Sequence, residues 1–388
     1  MRAAILLGFL VFSLCAEAAD GWKKMPLQGP KGERPGFSLI PSAILFTNVL
    51  SDERGLTNQI YMSGSGVAAG DVDGDGWCDL YLCGIDSPNR LFRNRGDWQF
   101  DGGTKLGPNY PTTGATFADV DGDGDVDLLV SGLGRGVRLY VNDGRGEFQD
   151  ATDAKGLRSE SAAMTMAMAD IDGDGDLDLY VANFRSSTLQ DEPGVTFRLA
   201  ITNGQTVIRS INGRQPTAGD LARYSVSPEK TILENGEPDV LYRNDGRGWF
   251  APVPWDDGTF ADEDGKPLKS PPYDWSYTAM FHDLNGDGAP DLYTCSDNMS
   301  PDRIWINDGR GRFRALDTLA LRHTSLSSMG VDFADINRDG FYDIFVADMM
   351  AREHGARQRL LGAPHPLVTP GVMDYRCLLY TSPSPRDS

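Results

Sequence analysis

The stretch DIDGDGDLDLYVAN, Asp170 to Asn183, decides how the rest of the chain is read. Carboxylates stand at positions 1, 3, 5 and 9 of its first nine residues, a glycine stands at position 6, and a strand-like apolar run follows directly. The pattern returns as DVDGDGWCD from Asp71, DVDGDGDVD from Asp119, DLNGDGAPD from Asp283 and DINRDGFYD from Asp335. Successive starts lie 48, 51, 113 and 52 residues apart, a period of about 50 broken by one long insertion. Self-similarity at such a period marks a repeat architecture built from small supersecondary units.

The flanks repeat as well. Each loop is preceded by a short apolar stretch rich in small residues, such as Gly66 to Ala69 or Gly330 to Phe333, and is followed by Leu80-Tyr81-Leu82, Leu128-Leu129-Val130, Leu179-Tyr180-Val181, Leu292-Tyr293-Thr294 or Ile344-Phe345-Val346. Consecutive apolar, β-branched or aromatic positions fit strands covered on both faces. A third strand and a tight turn follow in LFRNRGDWQF from Leu91, LYVNDGRGEF from Leu139, LYRNDGRGWF from Leu241 and IWINDGRGRF from Ile304. Asn-Asp-Gly between apolar runs is a hairpin signal, because Asn and Gly tolerate the positive φ that such turns demand. Each unit is therefore three or four short antiparallel strands, too small to cover both of its own faces. Neighbouring units must stack, and twisted four-stranded sheets repeated radially make a propeller, whereas solenoid repeats are usually shorter and carry helices or single strands. The residue twelve beyond each loop start is small in every unit (Cys83, Ser131, Ala182, Cys295, Ala347), which predicts a crowded inner position and two inert cysteines.

The aspartates predict calcium. A calcium loop takes oxygen ligands from positions 1, 3 and 5, a backbone carbonyl from position 7 and a further ligand that closes the shell, with glycine at 6 for the sharp turn. Gly76, Gly124, Gly175, Gly288 and Gly340 hold position 6. The expected ligand sets are Asp71, Asp73, Asp75, the Trp77 carbonyl and Asp79; Asp119, Asp121, Asp123, the Asp125 carbonyl and Asp127; Asp170, Asp172, Asp174, the Asp176 carbonyl and Asp178; Asp283, Asn285, Asp287, the Ala289 carbonyl and Asp291; and Asp335, Asn337, Asp339, the Phe341 carbonyl and Asp343. Position 12 holds an apolar residue or Thr294 where an EF-hand has its bidentate glutamate, so closure falls to the position 9 aspartates. Asp-Gly-rich stretches are often plain turns; five in register with four oxygen side chains at matched spacing are not. Magnesium rarely uses an all-protein carboxylate cage, so about five calcium ions are expected.

With those residues in hand, the chain resembles FG-GAP/VCBS repeat proteins of the integrin α type, and more closely the bacterial relatives of cartilage acidic protein 1, the ASPIC/UnbV family. The resemblance covers about Phe46 to Met350 and rests on the fivefold DxDxDGxxD pattern and the NDGRGxF turns. It implies an all-β fold, a β-propeller of FG-GAP/VCBS blades with each loop joining the first two strands of a blade, so that the metals share one face. Propellers of this family commonly have seven blades; about five to six are expected here, an incomplete ring, with any ASPIC/UnbV domain beyond the end of the chain.

Composition bounds the function. The formal net charge of the 388 residues is -20, which excludes a nucleic-acid partner held by a basic face. The 18 aspartates at ligand positions, with Asp125 and Asp176, equal that excess, so the acidity belongs to the loops. Residues 1–18, with Arg2, an apolar run from Ala3 to Cys15 and Ala16-Glu17-Ala18, read as a cleaved secretory signal, too short to span a bilayer, which places the mature chain outside the cytoplasm, secreted, periplasmic or at the cell surface, with no transmembrane segment. An uncleaved anchor and lipidation at Cys15 are the alternatives, the latter disfavoured by bulky Leu14. Residues 19–45 read as a linker, 46–376 as the propeller with an insertion at 186–239, and 377–388 (CLLYTSPSPRDS) as a sequencing adapter translated in frame. Cys78 and Cys83 lie five residues apart on one strand, roughly 16 Å, beyond disulfide reach, so no disulfide framework is expected.

Catalytic signatures are missing from the sequence. His282, His323, His354 and His365 form no HExxH or triad-like spacing, and His282 reads as a packing residue. Arg95-Gly96-Asp97 occupies a hairpin turn and reads as turn chemistry, and the GLGRG segment from Gly132 lacks the strand-then-helix context of a phosphate loop. The expectation is a non-enzymatic calcium-binding scaffold for adhesion or for an extracellular glycan or protein. The alternative is an extracellular polysaccharide lyase or hydrolase built on a propeller. The insertion and the aromatic and acidic segment from Ala251 to Trp275 are the candidate binding surfaces, since long loops on rigid scaffolds often carry function; a decorative insertion is the plainer alternative.

Overall fold

The computed structural model describes residues 44–348, apart from 193, 298–299, 318–319, 321–324 and 326. The expected signal segment, nearly all of the linker, and the adapter-like tail lie outside the described residues, as do His323, His354 and His365.

Four antiparallel blades follow one another, each with its first and second strands joined by an aspartate loop. Blade 1 comprises Val67–Gly70, Asp79–Leu82, Arg90–Phe92 and Thr104–Lys105. Blade 2 comprises Thr112–Ala118, Asp127–Gly132, Gly136–Asn142 and Phe148–Asp150. Blade 3 comprises Ala163–Ala169, Asp178–Asn183, Val240–Asn244 and Phe250–Pro252. Blade 4 comprises Trp275–His282, Asp291–Asp297, Arg303–Asn307 and Phe313–Ala315, with Phe260–Ala261 added in parallel at its outer edge. A fifth unit is described by two strands, Ser328–Ala334 and Asp343–Asp348. The register repeats: the position 9 aspartate opens the second strand opposite the residue that ends the first, Asp79 facing Gly70, Asp127 facing Ala118 and Asp291 facing His282.

The core lies between the sheets. One cluster joins blade 1 to blade 2 through Val72, Tyr81, Leu91, Leu128 and Tyr140, and others fill the junctions between blades 2 and 3, 3 and 4, and 4 and 5. Second strands accordingly bury every residue in blades 2, 3 and 4. The second strand of the fifth unit departs from this, with Phe345 55% exposed, because no described element packs on its outer side. The fold is an all-β array of propeller-type blades in which, among the described residues, no strand pairing joins the last unit to the first.

The expected small inner position is buried at Cys83, Ser131, Ala182 and Cys295, while Ala347 in the fifth unit is exposed. Cys78, Cys83 and Cys295 are free thiols, and burial pushes the Cys83 thiol up to about 11. His282 packs as expected, its ring stacked on Phe333. Arg95-Gly96-Asp97 forms the turn expected of it, with Gly96 at φ 90° and Gln99 N–H donating to the Gly96 carbonyl.

The insertion is a small folded module. It holds the hairpin Phe197–Thr202 with Gln205–Ile211, a helix Ala218–Arg223 capped by Thr217, and the hairpin Tyr224–Val226 with Ile232–Glu234. Its own apolar cluster contains Ile208, Ile211 and Tyr224, and Arg223 ties Glu192 to Glu234. The segment from Ala251 to Trp275 turns its aromatic residues inward: Trp255 stacks on Phe260, and buried Phe260 stacks on Phe313. Those rings pack into the junction of blades 3 and 4, with Phe260 and Phe313 in its buried cluster and Trp255 against it.

Candidate metal centre

Strand alternation places all five aspartate loops at one end of the blades, together with the turns between third and fourth strands. At position 6 the glycines take φ of 85° to 96°, which a side chain would strain. That turn aims backbone N–H groups at the position 1 carboxylate: Asp170 accepts from Gly173, Asp174 and Gly175, and Asp283 accepts from Gly286, Asp287 and Gly288. At position 5, Asp75, Asp123, Asp174, Asp287 and Asp339 each accept from the N–H of position 7, which fixes the residue whose carbonyl is the expected backbone ligand.

Position 9 does more than close a shell. Asp79 accepts from Val72 N–H at 3.1 Å with one oxygen and from Asn94 N–H at 2.7 Å with the other. Asp127, Asp178 and Asp291 repeat this with Val120 and Asn142, Ile171 and Asn244, and Leu284 and Asn307. Each buried carboxylate thus clamps its loop to its third strand. Burial pushes the Asp127 and Asp178 carboxyls up to about 6 against the lowering effect of those N–H bonds, and raises Asp79 and Asp291 in the same sense.

Three loops bring acidic oxygens within 4.8 Å of one another: Asp71, Asp73 and Asp79; Asp119, Asp121 and Asp127; and Asp170, Asp172 and Asp174. The third-position carboxylate decides whether a cation fits. Oδ1 of Asp73, Asp121 and Asp172 is buried and has no hydrogen-bond partner. A buried anionic oxygen without a partner is costly unless a cation compensates it, and an all-oxygen donor set suits a hard divalent ion. In loops 4 and 5 the third residue is asparagine, and Asn285 and Asn337 instead donate to Asp287 and Asp339, each at 2.9 Å. Among the described residues those two loops assemble no such acidic triplet.

The asparagine of each Asn-Asp-Gly turn has a role beyond the turn. Asn142 Nδ2 donates to the Val126 carbonyl of its own blade and to the Val72 carbonyl of blade 1, both near 3 Å. Asn244 reaches back to Val120, and Asn307 to Ile171, in the same way. The position 2 residues of blades 1, 2 and 3, Val72, Val120 and Ile171, are therefore each gripped by the following blade. Asparagine at all four turns, including Arg93-Asn94-Arg95-Gly96 where Asp and Gly are not in the usual places, was the available signal.

The FG-GAP-like repeat family matches residues 71–130, 120–181 and 283–346, three stretches that each span one or two of the aspartate loops. The chain thus carries FG-GAP-like repeats, as the resemblance implied. No curated protein matches it. Among solved structures, the BBS1 N-terminal region in complex with ARL6 is 12% identical over 73% of this chain and 75% of that one, with a TM-score of 0.30. Sqt1 from Saccharomyces cerevisiae is 12% identical over 70% of this chain and 66% of that one, with a TM-score of 0.31. The extracellular domain of a hybrid two-component system from B. thetaiotaomicron is 12% identical over 70% and 30%, with a TM-score of 0.29. Likenesses at this level transfer no partner and no activity.

Proposed function

We propose that the chain is a calcium-loaded FG-GAP propeller that works as a binding scaffold for an extracellular glycan or protein. One observation carries the metal part of this reading: the buried, unpartnered Oδ1 of Asp73, Asp121 and Asp172, each beside further loop carboxylates. Calcium would be held by the position 1, 3, 5 and 9 side chains and a position 7 carbonyl, and it supplies charge neutralisation that lets those carboxylates share a loop. The scaffold part rests on architecture. Strand connections from second to third strands and from blade to blade emerge at the end away from the aspartate loops, so the insertion and the segment before Trp275 share that end. There Gly236 N–H donates to the Tyr273 carbonyl at 3.0 Å and Trp275 Nε1 to the Glu234 carbonyl. The secretory segment fits this reading, and among the described residues no helix is long and apolar enough to cross a membrane.

Calcium titration of metal-free protein, with melting followed in calcium and in excess chelator, tests the metal. Each site saturated at 100 times its dissociation constant adds about 2.7 kcal/mol to folding, so several sites should raise the melting temperature strongly. An unchanged melt with no calcium uptake would sink the reading. A glycan array in calcium, run with a lyase and hydrolase assay, tests the scaffold; turnover would replace it with the enzymatic alternative.

A further inference from the structure

The third-position aspartates have a second oxygen, and a cation holds it. Asp73 Oδ2 lies 3.6 Å from the Arg93 guanidinium, and Asp121 Oδ2 lies 3.8 Å from Lys155 Nζ. Asp172 Oδ2 is paired with Arg243. Each cation also reaches the turn of the following blade. Arg93 donates to the Gly146 carbonyl at 2.6 Å, Lys155 to the Arg247 carbonyl, and Arg243 to the Gly311 carbonyl at 3.1 Å. Gly146 and Gly311 are the same position of the Asn-Asp-Gly-Arg-Gly turn, and Arg247 is the residue before it.

The cations do not come from one sequence position. Arg93 and Arg243 precede the turn asparagine, but in blade 2 that place is held by Val141, and Lys155 arrives from beyond the fourth strand to do the same work. In blade 4 both partners are neutral, with Asn285 at the third position and Ile306 in the place of Arg93. Aspartate and cation therefore occur together in blades 1, 2 and 3, and are replaced together in blade 4. With the cation counted, positions 1, 3, 5 and 9 carry a net charge of -3 in blade 4 and in blades 2 and 3 alike; in blade 1, where Arg95 also lies 3.6 Å from Asp73 Oδ2, the figure is -2.

We propose that Arg93, Lys155 and Arg243 tie ion occupancy of the first three loops to the junction with the next blade. The inference rests on the calcium reading. An ion taken by the unpartnered Oδ1 fixes the carboxylate, the fixed Oδ2 holds the cation, and the cation holds the neighbouring turn. Without the ion the crowded carboxylates repel one another, the third one is released, and the turn loses its tether. Ion uptake then tightens the junctions between blades 1 and 2, 2 and 3, and 3 and 4, and leaves that between 4 and 5 indifferent.

Amide hydrogen exchange of the whole chain, with and without saturating calcium, tests this. In the unaltered protein calcium should slow exchange in the turns Asn142–Phe148, Asn244–Phe250 and Asn307–Phe313 by roughly tenfold or more, the scale of one charge-assisted bond. Arg243→Met should abolish the calcium response at Gly309–Phe313 and keep it at Gly144–Phe148, where Arg93 is intact. A calcium response at Gly309–Phe313 that survives Arg243→Met overturns the relay; the Asn307 amide is set aside because it bonds Asp291 of loop 4 directly. Should that variant not fold, Lys155→Met read at Asn244–Phe250 decides the matter in the same way. Calcium uptake with turns that do not respond defeats the relay alone; no uptake defeats the calcium reading and the relay with it.

Discussion

Replacing Asn142 by alanine isolates what holds one blade to the next. The side chain makes three hydrogen bonds: Nδ2 to the Val72 carbonyl at 2.9 Å, Nδ2 to the Val126 carbonyl at 3.0 Å, and Oδ1 from Gly146 N–H at 3.0 Å. Alanine keeps the backbone N–H bond to Asp127 and leaves three buried groups without partners. Each such group costs about 1–3 kcal/mol, so the loss should reach about 2–6 kcal/mol even if water reaches one of them. That is a large part of the typical stability of about 5–15 kcal/mol.

Blade 1 supplies the control. Asn94 donates to Cys78 and accepts from Gly96, both at 3.1 Å, and its side chain makes no bond to another blade among the described residues. Asn94→Ala thus removes the bonds within a blade and spares the bond between blades, so Asn142→Ala should cost about 1–3 kcal/mol more. Urea unfolding followed by tryptophan fluorescence reads the difference as a lower midpoint at similar slope. Asn142→Asp, which sets a carboxylate against two carbonyls, should be worse than alanine. If Asn142→Ala is no more damaging than Asn94→Ala, the contact with Val72 contributes nothing and the account of the junction is wrong.

Two further outcomes follow from single residues. Gly175 sits at φ 96° with open space where a Cβ would go, so Gly175→Ala should cost about 1–2 kcal/mol from backbone strain alone, and a melt indistinguishable from the unaltered protein would contradict this. Asp239 accepts from Tyr180 Oη and from Asn183 N–H, each at 2.8 Å, and burial pushes its carboxyl up to about 7 from an ordinary 3.8. Its folded form therefore holds a proton that the unfolded chain releases, so its contribution is full below about pH 4 and is lost as the pH rises through about 7. Asp302, raised to about 6 by burial, acts in the same direction. In calcium, Asp239→Asn should flatten the decline between about pH 4 and 8 by up to roughly 4 kcal/mol; an unaltered slope would refute the assignment.

Much of the fold was legible because its signal is local. A loop, the strand that follows it and the hairpin turn all fall within one period, and the register of Asp178 opposite Ala169 follows from the loop that joins them. What the repeat pattern could not show are partners from another period. Asn244 meets Val120 across 124 residues, and Arg243 meets Gly311 across 68. The pattern marks both as turn or strand residues and says nothing of the blade they touch. Position 9 was read as a ligand because its residue type and spacing suit one; its clamping of Asn94 and Val72 depends on where the third strand lies. The segment from Ala251 to Trp275 was read as a candidate binding surface because long loops on rigid scaffolds often carry function, yet Phe260 is fully buried, since a long connection can close over a junction that a short one leaves open. The insertion had a length and no pattern, and it proved to have a core of its own.

These contacts divide the molecule into two ends with different work. At one end the loop carboxylates, the turn asparagines and the cations Arg93, Lys155 and Arg243 connect blades 1, 2 and 3 each to the next. At the other, the insertion is tied to the same blades by Glu237, which accepts from Ala162 N–H, and by Arg185, which donates to the Asn235 carbonyl. Among the described residues the aspartate loops and the insertion therefore meet through the sheets of blade 3 and its neighbours. An ion at the loop end has no route to a partner seated on the insertion except by stiffening those sheets, so on the calcium reading the metal is a condition for presenting the insertion and not a bridge to what it binds.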